Sequence, residues 1–155
     1  MIEKHELETI IPHRGKMLLL SRVKGYNLEE RSLNAEYHVT GDCIFYDANI
    51  GGVPSWVAFE FMAQAISSLS GIRDRELGIK PRMGFILSIP FMRMEIPVFH
   101  LGSRVEIFVK QIDRTDVIYT FDGTALLEDR KALEGKLMVM EVNDETFNKL
   151  ITEHS

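Results

Sequence analysis

A chain of 155 residues and 17.8 kDa has room for one domain and can hide a real hydrophobic core. With 45% hydrophobic and 26% charged residues, 11 Gly and 5 Pro, it is neither disordered nor collagen-like nor of low complexity. A formal charge of −5 argues against a nucleic-acid partner, which wants a basic face. Cys43 is the single cysteine, so no intrachain disulfide and no zinc or CxxC site can form, and no metal-spaced His/Asp cluster occurs. Met1 to Glu6 is polar and acidic, unlike a secretory signal. Asp42, Asp47 and Glu60 interrupt the greasiest stretch before it reaches the roughly 18 apolar residues of a membrane span. The expectation is a cytoplasmic protein without a membrane span.

In chain order, Met17–Tyr26 and Ser32–Val39 read as a hairpin closed around Asn27 to Arg31. Ser55 to Gly71 reads as a helix, with Pro54 and Ser55 as start signals and Gly71 as its stop. Its apolar residues surround the axis, so it must be buried on every side. The period then changes to two: Met83–Glu95, Arg104–Ile112, Val117–Leu127 and Lys131–Val142 read as strands, with turns at Asp113 to Asp116 and Glu128 to Arg130. Two strands, one helix and four strands make an antiparallel α+β plan, a single domain over 1–155 that ends in an acidic tail, 144–155. Uncovered sheet edges predict a homodimer. Two basic clusters, Arg14, Lys16, Arg22 and Lys24, then Arg73, Arg75, Lys80 and Arg82, are either solvated loops or landing sites for an acidic partner.

Glu60 is the one charged residue within the 55–71 helix, and Gln64 sits four positions later on the same face. An isolated buried carboxylate costs several kcal/mol. Two explanations stand: a Glu hydrogen-bonded to backbone or to Gln64 with no chemical role, or a carboxyl poised for proton transfer or nucleophilic attack in an apolar slot. Of the five histidines only His13, in Ile11-Pro12-His13-Arg14-Gly15, sits among other special residues. Gly51-Gly52 leaves room for a substrate at the helix N-terminus, whose amides can polarise a carbonyl.

Three segments together resemble the FabZ-type 3-hydroxyacyl-(acyl carrier protein) dehydratases, and among them the ApeP-like branch of aryl-polyene clusters. Ile11-Pro12-His13-Arg14 through Met17-Leu18-Leu19-Leu20-Ser21-Arg22-Val23 is similar to that family's opening PHR and LLxDRV. Pro54 followed by Glu60-Phe61-Met62-Ala63-Gln64-Ala65 resembles its helix signature, and Pro97-Val98-Phe99 with Gly102 and Arg104-Val105 its strand entry. The likeness runs over about residues 8–143. It implies a hotdog fold, one long central helix wrapped by a six-stranded antiparallel sheet, dimeric, with active sites across the dimer interface.

It also implies a role for Glu60, assisting loss of the 3-hydroxyl as water, while the family's histidine comes from the other protomer. Here the corresponding segment is Phe45-Tyr46-Asp47-Ala48, which puts Tyr46 in the histidine's place and Asp47 beside it. A phenol with a pKa near ~10 is a poor base at neutral pH. The candidate catalytic residues are therefore Glu60, Tyr46, Asp47 and His13, and the candidate substrate-binding residues Gly52, Ser55, Trp56 and Gln64. No metal or dissociable cofactor is expected, because the acyl chain arrives on the phosphopantetheine of an acyl carrier protein. The expected reaction is that of a lyase, dehydration of a 3-hydroxyacyl thioester in a fatty-acid or aryl-polyene pathway. A hotdog thioesterase, and a degenerate subunit paired with an active paralogous dehydratase, are the alternatives.

Overall fold

The computed structural model describes residues 1–142 and, beyond them, Glu145, Asn148, Lys149, Thr152 and Glu153. The rest of the acidic tail lies outside the described residues. In chain order the elements are β1 (Ile2–Glu3), α1 (Lys4–Leu7), β2 (Arg22–Asn27), β3 (Ser32–His38), β4 (Gly52–Pro54), α2 (Ala58–Glu76), β5 (Met83–Met94), β6 (Val98–His100), β7 (Arg104–Thr115), β8 (Ile118–Leu127) and β9 (Arg130–Val142). One antiparallel sheet runs β1-β2-β3-β7-β8-β9-β5, and β4 pairs with β6 in a separate ribbon. Six of these strands are the expected six. The two-residue β1 and the short ribbon are additions whose sequences are too brief to carry a period.

Alternation builds the sheet, since Val105, Ile107 and Val109 on β7 are buried together with Tyr119, Phe121 and Ala125 on β8. The β8–β9 turn is two residues long, Glu128 and Asp129, both with positive φ, as the twist of a tight hairpin demands. The turn expected at Asp113 to Asp116 is shorter, because β7 continues to Thr115 through a register shift between Gln111 and Asp113. Pro90, which has no amide hydrogen to give, falls where β5 slips register against β9, between Ser88 and Phe91.

Helix α2 lies on one face of this sheet, against β3, β5, β7 and β8. It is entered by a 3₁₀ turn, Ser55–Val57, and runs five residues past the expected stop at Gly71. Gly71 is not a terminator. A Cβ there would lie 2.5 Å from the Ile10 carbonyl oxygen, so the glycine is where the N-terminal segment crosses the helix. The sheet side uses the same device. Gly123 and Gly135 face each other across β8 and β9, and a Cβ on them would come within 2.6 Å of Met62 Sδ and 2.9 Å of Phe59 Cε1.

The face of α2 away from the sheet is covered by residues 7–20, where Leu7, Ile10, Ile11, Leu18, Leu19 and Leu20 are all buried. The expected strand from Met17 begins only at Arg22. Four apolar residues in a row mimic a buried strand, but here a side chain replaces the ladder. The Gln64 amide, wholly buried, accepts from the Leu19 amide at 2.9 Å and donates to the Met17 carbonyl at 2.8 Å.

Helix propensity alone makes Gly71→Ala a gain of about 1 kcal/mol. The Ile10 contact reverses the sign, and a loss of roughly 1–3 kcal/mol in denaturant unfolding is expected. Gln64→Leu leaves the Leu19 amide and the Met17 carbonyl without partners and should cost about 3 kcal/mol on the same measurement.

Candidate active site

Along α2 the residues Glu60, Ala63, Ser67 and Ser70 follow one another at spacings of three and four, a single stripe of the helix. None of them is fully buried, whereas Phe61, Met62, Ala65, Ile66 and Leu69 around them are. The stripe forms the floor of a cavity of about 330 Å³. Pro12 and His13 close one side of it, Gly84, Phe85 and Ile86 of β5 another, and Val139 and Glu141 of β9 a third. The lining is mostly apolar between two polar ends.

At one end stand Glu60 and His13, with Oε1 and Nε2 3.9 Å apart. That gap is too long for a hydrogen bond, so neither atom is spent on the other. Gln64 Nε2 lies 3.3 Å from the same Oε1 and orients the carboxylate through the amide that pins Met17 and Leu19. Burial pushes the His13 imidazole below its ordinary 6.5; Glu60 pulls it back up, and Arg14 adds to the lowering. Its Nδ1 is buried and has no hydrogen-bond partner among the described residues. The imidazole is thus neutral at neutral pH, the form that can accept a proton.

The other end is ionic. Glu141 accepts hydrogen bonds from Ser70 Oγ and, at 2.9 Å, from Arg73 Nη2. Asp74, fully buried, accepts from Arg73 Nε at 3.1 Å, Arg82 Nη2 at 2.9 Å and the Arg82 amide at 3.1 Å. Burial raises the Asp74 pKa, but the Arg82 hydrogen bonds and the two guanidinium charges outweigh it and hold the carboxyl below its usual range.

Of the eight candidate residues, the structure brings two to the cavity wall, Glu60 and His13, with Gln64 directly behind Glu60. Tyr46, Asp47, Gly52, Ser55 and Trp56 are not among its lining residues. The Asp47 carboxylate is spent on its own turn, accepting from the Asn49 amide at 2.9 Å. A side chain at Gly52 would run into the Phe99 carbonyl, so its bareness serves the β4–β6 ribbon. Ser55 Oγ is buried at the start of the helix with no hydrogen-bond partner among the described residues, and the half-exposed Trp56 stacks edge-on to Phe45 at 6.2 Å.

Ser67 and Ser70 were missed in the sequence, although helical spacing from Glu60 made them legible. Arg82 and Glu141 were not legible, because strand pairing brings them in. The basic clusters largely dissolve into ion pairs: Arg73 and Arg82 serve Asp74, Arg22 meets Glu36 at 3.1 Å, and Lys24 meets Glu106 at 3.3 Å. Arg14 turns back onto the Ile11 and His13 carbonyls, each at 2.7 Å.

Known proteins resemble the chain over most of its length. The 3-hydroxyacyl-[acyl-carrier-protein] dehydratase FabZ of Mannheimia succiniciproducens is 29% identical over 141 residues, 89% of this chain and 91% of its own. That of Erythrobacter litoralis is 30% identical over 133 residues, 84% and 86% of the two chains. A solved dehydratase heterocomplex, ApeI:P from Xenorhabdus doucetiae, contains a chain that superposes with a TM-score of 0.83 at 25% identity, covering 94% of this chain and 96% of that one. A hypothetical thioesterase of Streptococcus pneumoniae, at 11% identity and a TM-score of 0.59 over 79% and 85% of the chains, shares the fold alone. The fold is the hotdog. A family model described as ApeP dehydratase matches residues 5–152, nearly the whole length, and the chain belongs to this ApeP-like family.

Proposed function

We propose that the chain is a dehydratase of 3-hydroxyacyl thioesters carried on acyl carrier protein. The observation that carries this is the Glu60–His13 pair, a carboxyl and a neutral imidazole facing one another across a mostly apolar cavity. Dehydration removes one proton from C2, made acidic by the thioester, and adds one to the departing 3-hydroxyl. His13 accepts the C2 proton, the C2 electron pair forms the double bond, and the C3–O bond breaks. Glu60, in its acid form, gives its proton to the leaving oxygen, which departs as water. Proton return from the imidazolium to the Glu60 carboxylate restores both groups, and no external co-reactant is consumed.

A specific observation also favours a paired assembly. Tyr46 stands where the resembled family carries its histidine, and neither it nor Asp47 reaches this chain's own Glu60 cavity. Strand β5 pairs with β9 on one edge and with no other strand among the described residues. It exposes Phe85, Ile86, Leu87, Ile89, Phe91, Met92 and Met94, on both of its faces. Such an edge calls for a partner strand. We therefore place a second dehydratase chain along β5, a copy of this chain or a paralogue, where it also closes the cavity wall formed by Phe85 and Ile86.

The chain alone, and mixed with a paralogous dehydratase, should be incubated with 3-hydroxyacyl carrier protein and followed by mass spectrometry for loss of water. Loss of the acyl group instead would replace the dehydratase by a thioesterase, and no change under either condition would leave a binding subunit. Glu60→Gln should lower kcat/KM by roughly 100-fold or more while changing stability by less than about 1 kcal/mol. An unchanged rate would overturn the assignment. The lowered His13 pKa sets the sign of the pH dependence: the imidazole stays neutral as pH falls through 6.5, so the acid limb of kcat/KM lies below 6.5 and disappears in His13→Gln.

A further inference from the structure

We propose that Cys43 is a site of reversible oxidation, where a peroxide converts the thiol to a sulfenic acid that the Tyr37 hydroxyl then holds. The proposal does not rest on the dehydratase reading, because the cavity it concerns shares no lining residue with that of Glu60. This second cavity, of about 370 Å³, has the half-buried Cys43 and Tyr37 of β3 in its wall, with Lys4 and Lys16 from the N-terminal segment. The Tyr37 ring is fixed against Phe61, centroids 4.5 Å apart, and only 5% of the residue is exposed. Its hydroxyl is buried and finds no hydrogen-bond partner of sound geometry among the described residues. Buried hydroxyls nearly always have one, so this hydroxyl marks a place for an acceptor that the reduced chain does not supply.

The place is beside sulfur. Burial, and after it the Cys43 side chain, hold the phenol in its neutral, donating form, against an opposing effect of the Thr40 backbone. A thiol sulfur is a weak acceptor, and an oxygen added to it is a strong one. In the oxidation the Cys43 thiolate attacks one peroxide oxygen, the S–O bond forms and the O–O bond breaks. Hydroxide leaves and takes up a proton as water; the sulfur is oxidised and the peroxide reduced. Glu8 and Asp42 balance Lys4 and Lys16 around the cavity, so the new oxygen enters a polar space and not the core. Cys43 is the single cysteine of the chain, so the sulfenic acid has no intrachain thiol to condense with. A small external thiol reverses the step: its sulfur attacks the Cys43 sulfur and water leaves, and a second thiol then releases the Cys43 thiol from the mixed disulfide.

The test treats the full chain, in its isolated assembly and freed of thiol, with hydrogen peroxide, and follows the dimedone adduct and the sulfinic acid of Cys43 by mass spectrometry. The folded chain should form the adduct, and dithiothreitol added after the peroxide and before dimedone should abolish it. Tyr37→Phe keeps the ring against Phe61 and removes only the hydroxyl. Passage from sulfenic to sulfinic acid should be about tenfold faster in this variant than in the unchanged protein. Thermal unfolding supplies a second measurement. Reduced Tyr37→Phe should melt no lower than the reduced unchanged protein, because its hydroxyl has no partner to lose, and oxidation should shift Tm upward in the unchanged protein relative to the variant. Absence of an adduct from the folded chain overturns the proposal, as does equal passage to sulfinic acid in the two proteins. A lower Tm of reduced Tyr37→Phe overturns it as well, since the hydroxyl would then already be satisfied.

Discussion

Helix α2 is taken out of water on almost every side, and each polar group it carries must then find a partner within the protein. Three of them do. Gln64 ties the helix to the backbone of Met17 and Leu19, Ser68 Oγ returns to the Gln64 carbonyl at 2.8 Å, and Asp74 is enclosed by two guanidinium groups. Glu60 is the exception. Its side chain keeps 39% of its exposure, because it faces the cavity instead of the core, and its neighbours are an amide that orients it and an imidazole that does not touch it. The helix is therefore both the core of the fold and the floor of the site, and its placement decides both.

That placement depends on missing atoms as much as on contacts. Gly71 admits Ile10 on one side of the helix, and Gly123 with Gly135 admits Met62 and Phe59 on the other. A close-packed interior transmits a shift of a few tenths of an ångström. Any side chain at these positions would move α2 relative to β5 and β9, the strands that face it across the cavity. The separation between the Glu60 stripe and its opposite walls is thus set by glycines remote from the chemistry.

The period-two strands and the apolar helix were legible in the sequence because each has a regular pattern that burial imposes. The ends of these elements were less legible. Gly71 has the chemistry of a helix stop, and only the crossing of Ile10, 61 residues earlier in the chain, gives it another purpose. Met17 to Leu20 has the composition of a strand, and only the Gln64 side chain, 45 residues away from Leu19, shows why no ladder is needed. The site divides the same way. Glu60 stood out as a charge in an apolar helix, and His13 as an imidazole in a special loop, but their approach to 3.9 Å is a tertiary fact. The pairing of the basic clusters was not legible, because charge counts along the chain omit the acids that folding brings to them.

The wall of the cavity and the edge of the sheet are the same strand. Phe85 and Ile86 line the pocket, yet they are also exposed apolar residues of the edge strand β5. In the paired assembly proposed above, the partner chain covers the second edge of this strand and an acyl chain covers its pocket face. Assembly and substrate therefore act on one element. In that proposed assembly, a partner that fixes β5 would narrow the range of cavity widths the strand can adopt, and an acyl chain packed against Phe85 and Ile86 would hold the strand in the geometry that the partner meets. In that proposed assembly, binding of either would be linked to binding of the other through this shared strand, and by linkage the coupling would be reciprocal.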